Sequence, residues 1–83
     1  MTTQDTAQHW LETHLKKIRE YSGINQTYSM DDELIRDVHI DSLELLELIA
    51  AIEEYTEQPL RDEVWMKWRH LQDIVDYLIN ATA

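Results

Sequence analysis

One glycine, Gly23, and one proline, Pro59, are all that this 83-residue chain has for turning sharply. Hairpins and barrels need a tight turn between successive strands, and glycine and proline supply most of those turns. The scarcity therefore predicts helices joined by a few connections, and it argues against low-complexity disorder as well. The length suits one domain, residues 1–83, with a small core and a marginal stability. Cysteine is absent, so no disulfide, thiolate metal site or cysteine nucleophile can be built. Phenylalanine is absent too, and Leu, Ile, Trp and Tyr must fill the interior.

Helical spacing is plain in three places. Ala7, Trp10 or Leu11, Leu15, Ile18 and Tyr21 predict a first helix from about Asp5 to Tyr21, with Lys16, Lys17 and Arg19 near its negative end and Gly23 placed to stop it. From Ile24 to Ile40 no single period fits, although a short helical turn is expected near Asp31–Ile35. Asp41 then reads as an N-cap with Glu44 at the third helical position, an acidic capping box that opens a helix to about Thr56. On that helix Leu45, Leu46, Leu48, Ile49, Ile52 and Tyr55 are expected on the core face. Leu43 falls instead among Glu44, Glu47, Ala51 and Glu54 on the outer face. After Pro59, Asp62 is expected to cap a short helix through Val64, Trp65 and Trp68. Leu71, Ile74, Val75 and Leu78 then set a last helix ending near Asn80. The expected fold is all-α: a four-helix bundle with a long first loop and a short third helix.

Charge is distributed unevenly along this frame. Between Asp31 and Glu63 stand twelve carboxylates and only two bases, Arg36 and Arg61, which together make the whole net charge of −10. Both flanks are balanced. A field so localised repels nucleic acid and anionic membranes and attracts a basic partner. No apolar run approaches the roughly 18 residues of a membrane span. The start, Met-Thr-Thr-Gln-Asp, lacks the basic and apolar regions of a signal peptide. A monomeric, cytoplasmic protein is expected.

Ser42 lies in the middle of the acidic stretch. As first residue of its helix it should project its hydroxyl at the positive helix end, where unpaired N–H groups favour a phosphate ester or a phosphate-linked prosthetic group. His39 is near enough to be considered as a base, but no oxyanion hole or orienting partner accompanies it, so a catalytic triad is not indicated. Glu44 and Glu47 lack a histidine at metal-ligand spacing. Asp37, His39 and Asp41 alternate like a calcium loop, but Ser42 and Leu48 stand where that loop needs Gly and Glu. Trp65, Met66 and Trp68 are assigned to the core, with one of the adjacent Trp65 and Met66 left exposed or lining a cavity. His9, His14 and His70 are assigned no role.

Asp41-Ser42-Leu43, followed by Glu44-Leu45-Leu46-Glu47-Leu48-Ile49, by Glu53, Glu54 and Tyr55, by Pro59 and by the closing run Leu71–Leu78, resembles the acyl carrier protein family. The likeness covers about Leu34 to Leu78. It implies that Ser42 is the attachment point of 4′-phosphopantetheine, moved from coenzyme A by a phosphopantetheinyl transferase, with Asp41 supporting its presentation. The arm's thiol would then carry acyl groups as thioesters. Leu43, Glu44 and Glu47 would form the surface on which acyl-loading, condensing or acyl-transfer enzymes dock through basic patches, and the chain itself would catalyse nothing and hold no metal. Fatty-acid carriers often show a glycine where His39 stands and a plainer third helix, and peptidyl carriers a Gly-Gly pair that is missing here. These departures point to a stand-alone carrier in a specialised polyketide or modified fatty-acid pathway. An aminoacyl or peptidyl carrier and an unmodified acidic adaptor remain as alternatives.

Overall fold

The structure, a computed structural model, describes residues 2–20 and 27–82. Four helices follow one another: α1 (Gln4–Ile18), α2 (Ser42–Thr56), α3 (Asp62–Trp65) and α4 (Leu71–Ala81). The all-α architecture expected from the sequence is present, with its long first connection and short third helix. Helix α1 opens at Thr3, whose Oγ1 accepts from Thr6 N at 3.2 Å, and it buries Ala7, Leu11 and Leu15 along one stripe. It ends earlier than the spacing suggests: Arg19 closes it with an N–H to Leu15 O, and the expected stop at Tyr21 to Gly23 lies outside the described residues.

The α1 stripe packs against α4 and α2. Leu71, Ile74, Val75 and Leu78 of α4 and Leu48 and Ile52 of α2 are fully enclosed. Each such side chain contributes about 1.5–3 kcal/mol by leaving water. Leu46 departs from expectation. It is 60% exposed, because the buried arc of α2 runs through Leu48, Ile49 and Ile52 with Leu45 half-buried at its side, and Leu46 lies beyond that arc. Asp62 departs as well. It is the first residue of α3 rather than its cap, which is Arg61, and its Oδ1 accepts from Trp65 Nε1 at 3.0 Å. Among the described residues no helix is long and apolar enough to cross a membrane.

The helical turn expected near Asp31–Ile35 is reduced to a single unextended turn from Glu33 to Asp37, one of a chain of turns among the described residues of the first connection. Asp32 N donates to Ser29 O, Asp37 N and Val38 N to Glu33 O, and Ile40 N to Leu34 O. Tyr28, Leu34, Val38 and Ile40 sink into the core and hold the loop down. The loop is also joined to the start of α4 by an antiparallel bridge between Glu33 and His70. Leu34 N donates to Arg69 O, while Leu71 N and Gln72 N donate to Asp32 O and Met30 O. The loop carbonyls thereby satisfy the first N–H groups of α4, which no intrahelical acceptor can reach.

Two carboxylates lock this seam. Glu33 accepts from Arg69 Nε at 2.8 Å, and that bond holds its carboxyl below the ordinary value of 4.5 against a smaller opposing effect of burial. Burial pushes Asp73 up, but the N–H groups of His70 and Arg69, at 2.9 and 2.8 Å, outweigh it and leave the group below its ordinary 3.8. A depressed folded-state pKa means that the stabilisation is complete above those ordinary values and is lost as pH falls from them through the lower folded-state values. Urea unfolding followed against pH should therefore show wild type losing stability below about pH 4.5. The double variant Glu33→Gln/Asp73→Asn should start lower at neutral pH and lose less on acidification; parallel curves would show that the seam does not titrate.

Candidate functional site at the start of helix α2

The geometry at Asp41 follows directly from its residue types. Its backbone is extended (φ −96°, ψ 175°), which aims the short carboxylate back at the first turn. Asp41 Oδ1 accepts from Glu44 N at 2.8 Å, and Glu44 Oε1 accepts from Asp41 N at 3.1 Å. Leu45 N closes the first intrahelical bond to Asp41 O. Of the four N–H groups that begin a helix, those of Asp41 and Glu44 are thus satisfied. Those of Ser42 and Leu43 meet no acceptor among the described residues. Ser42 is the first helical residue and is exposed. Its hydroxyl therefore stands in water beside two open donors at the positive end of a 15-residue dipole.

Beneath this turn lies an interaction that sequence reasoning missed. Arg19, only 5% exposed, places Nε 2.8 Å from Glu44 Oε2 and Nη2 3.2 Å from Glu44 Oε1. Burial pulls the Arg19 pKa down, but bonding and charge from Glu44 and Tyr28 outweigh it and hold it above the ordinary arginine value. The pair links the end of α1 to the start of α2 across 25 positions of sequence. Arg19 reads in the sequence as one more cation suiting the end of α1, and nothing in its neighbours signals burial.

His39 precedes Asp41 with φ 57°. The left-handed region is easy for glycine and costs other residues about 1–2 kcal/mol, so the glycine often seen here in fatty-acid carriers has a physical reason. His39 tolerates the conformation at that cost.

Leu43 is 67% exposed and Glu47 is exposed, one turn apart on the outer face of α2. Glu44, expected beside them, is turned inward onto Arg19 and the Asp41 N–H, and its side chain is 20% exposed. On the α1 side of α2, a groove is lined by His14, Lys17, Glu47, Ala51 and Glu54. His14 stacks on Trp10 at 4.0 Å, a contact that leaves it part of the helix surface. Towards α3, an apolar hollow of about 280 Å³ is walled by Ile35 and Ile40 of the loop, by Leu45 and by Trp65, Met66 and Trp68. Of the two adjacent residues, Met66 is the exposed one, at 70%, and it also lines that hollow. Trp65 is half-buried, and Trp68 is packed edge-on to Tyr77.

A family model described as a phosphopantetheine attachment site matches residues 15–78. An acyl carrier protein of Campylobacter concisus (strain 13826) is 34% identical over 61 residues, covering 74% of this chain and 79% of that protein. The chain belongs to the acyl carrier protein family. Acyl carrier proteins of Clostridium perfringens (strain SM101) and Campylobacter jejuni (serotype O:23/36, strain 81-176) are 35% identical over 54 residues and 37% over 51. These matches cover 65% and 61% of this chain, and 71% and 66% of the relatives. No solved structure matches it. Members of the family are carriers rather than enzymes, and they bear covalent 4′-phosphopantetheine and work with a transferase and with acyl-handling enzymes. The start of α2 suits such a group: it has an exposed hydroxyl, two open N–H donors for a phosphodiester and an apolar hollow nearby.

The strain at His39 gives a direct check of this local geometry. His39→Gly should raise stability by about 0.5–1 kcal/mol, the relieved strain less the added freedom of the unfolded chain. For a domain of this size that corresponds to a melting temperature higher by roughly 2–8 °C. A lower melting temperature would mean that the His39 side chain makes contacts worth more than the strain.

Proposed function

We propose that residues 1–83 act as one carrier domain whose 4′-phosphopantetheine is attached to Ser42. The observation that carries this reading is an exposed serine hydroxyl at the first position of α2, inside the segment matched by the attachment-site family. Asp41 holds the serine in place by capping the helix, and the N–H groups of Ser42 and Leu43 receive the phosphodiester. When bound, the group supplies a terminal thiol that carries acyl chains as thioesters. Leu43 and Glu47 present an apolar anchor within an acidic field, which suits partner enzymes with basic docking patches. Glu44 contributes to that field from a more enclosed position. The carrier works as a cytoplasmic monomer, its self-repelling acidic face opposing association.

The cargo is an apolar acyl group of a polyketide or modified fatty-acid pathway. The hollow between the loop, α2 and α3 is walled by aliphatic side chains, two indoles and a thioether, and no carboxylate lines it to pair with an ammonium. Its volume lies just under the range of sites for drug-sized ligands, roughly 300–1,000 Å³, so a short chain or a planar ring suits it better than a long chain.

Incubation with a promiscuous phosphopantetheinyl transferase and coenzyme A should add one phosphopantetheinyl group to the intact mass, and Ser42→Ala should abolish the gain. Unmodified wild type, under conditions that load a control carrier, would leave an acidic adaptor. Cargo class is read on the loaded protein by nuclear magnetic resonance. A short apolar acyl group should shift the indole N–H signals of Trp65 and Trp68 while Trp10 stays still. An aminoacyl group should leave all three as in the unloaded carrier; equal shifts from both would turn the reading towards an aminoacyl carrier.

A further inference from the structure

We propose that Arg19 is a positioning residue for the modification of Ser42, acting through Glu44 and Asp41. The proposal rests on Ser42 as the attachment point. In that step Ser42 Oγ bonds to the phosphorus bearing the pantetheine arm, and the bond from that phosphorus to the bridging oxygen of coenzyme A breaks. The nucleotide leaves with the electron pair, and the hydroxyl proton passes to a base on the transferase. The hydroxyl must therefore be aimed along one line, and its aim is set by where α2 begins.

The structure ties that beginning to Arg19. Glu44 Oε1 serves two donors, Asp41 N at 3.1 Å and Arg19 Nη2 at 3.2 Å, while Glu44 Oε2 takes Arg19 Nε at 2.8 Å. A guanidinium fork on both oxygens fixes the carboxylate's orientation as a single contact would not. The fixed carboxylate holds the Asp41 N–H, and Asp41 in turn holds Glu44 N at 2.8 Å. This closed circuit keeps the turn from fraying and leaves the Ser42 and Leu43 N–H groups free for phosphate. Arg19 is buried and Ser42 is exposed, so a transferase can touch the serine without needing the arginine. The same bonds turn Glu44 away from the outer face, so the role of that carboxylate is to set geometry before it attracts partners.

Initial rates of phosphopantetheinylation and amide hydrogen exchange test the proposal together. Arg19→Met should lower kcat about ten-fold with KM changed little, the pattern of a misaimed group. Glu47→Lys, which alters the outer surface, should raise KM instead. In Arg19→Met the Asp41 and Glu44 amides should exchange about ten-fold faster while those of Ile74 and Val75 hold their protection. Glu44→Gln keeps an acceptor for the Asp41 N–H but loses the ion pair, so it should behave like Arg19→Met. The double variant should be no slower than either single one. Arg19→Lys, with charge but no fork, should recover part of the rate. Wild-type kcat in both Arg19→Met and Glu44→Gln would overturn the proposal, as would a change in KM alone, which would make Glu44 a docking residue that Arg19 merely masks. If Arg19→Met does not fold, Glu44→Gln carries the test. Failure of the underlying reading looks different: Ser42→Ala would be modified as fast as wild type, and Arg19 would have nothing to position.

Discussion

The carboxylate of Glu44 is the joint on which this molecule is assembled. It closes the first turn of α2 by accepting the Asp41 N–H, and it receives a buried arginine from the end of α1. A half-enclosed glutamate without that arginine would keep its desolvation cost and lose its compensation, which is why buried pairs are costly to break from one side. Arg19 in turn depends on Glu44 first, and on Tyr28 after it, for its place inside. The consequence is geometric as well as energetic. The end of α1, the loop at Tyr28 and the exposed serine of α2 are set by one hydrogen-bonded cluster, so none can shift without the others.

A second cluster does the same work in the middle of the loop. Glu33 and Asp73 hold Arg69 and His70, and the loop carbonyls of Asp32 and Met30 close the start of α4. The later part of the connection is thus anchored by acids paired with specific donors, Glu33 before it and Glu44 after it, and between them by Leu34, Val38 and Ile40 in the core. This fastening puts Ile35 and Ile40 against Leu45 and the tryptophans, where they wall the hollow beside the serine's helix. A loop without regular structure is kept rigid enough to form part of a cavity because its backbone bonds go to another element.

What the sequence disclosed follows from the range of the interactions concerned. The cap at Asp41, the box with Glu44 and the position of Ser42 are contacts over three residues, and the residue types alone determine them. The stripes Leu11–Leu15 and Leu71–Leu78 repeat at helical spacing and are equally plain. Leu46 was misplaced because five neighbouring apolar residues widen the apparent face, and only the packing of α1 and α4 decides where the buried arc ends. Asp62 was misplaced by one position because it bonds the Trp65 indole instead of the helix backbone. Arg19 with Glu44, and Arg69 with Glu33, join residues 25 and 36 positions apart, and no local pattern encodes them. The left-handed residues His39 and Glu57 were also hidden, since neither residue type advertises positive φ.

Those two residues bracket α2, and their position bears on what the helix is for. Glu57 ends it at φ 56°, ψ 34°, a conformation glycine usually supplies, and no basic residue stands in its last turn. Glu53, Glu54 and Glu57 therefore crowd the negative end of the dipole, although Glu53 recovers a bond from Leu60 N at 2.8 Å. A chain selected for stability alone would carry glycine at those two left-handed positions and cations in the last turn of the helix. Helix α2 has neither and is held by Leu48, Ile49 and Ile52 beneath it. Acids crowded on the outer face and an exposed Leu43 both oppose stability, and they are concentrated on the helix proposed to meet the partners. Such local costs, tolerated together on one helix and compensated by the core and by Arg19, fit the docking role proposed for that helix.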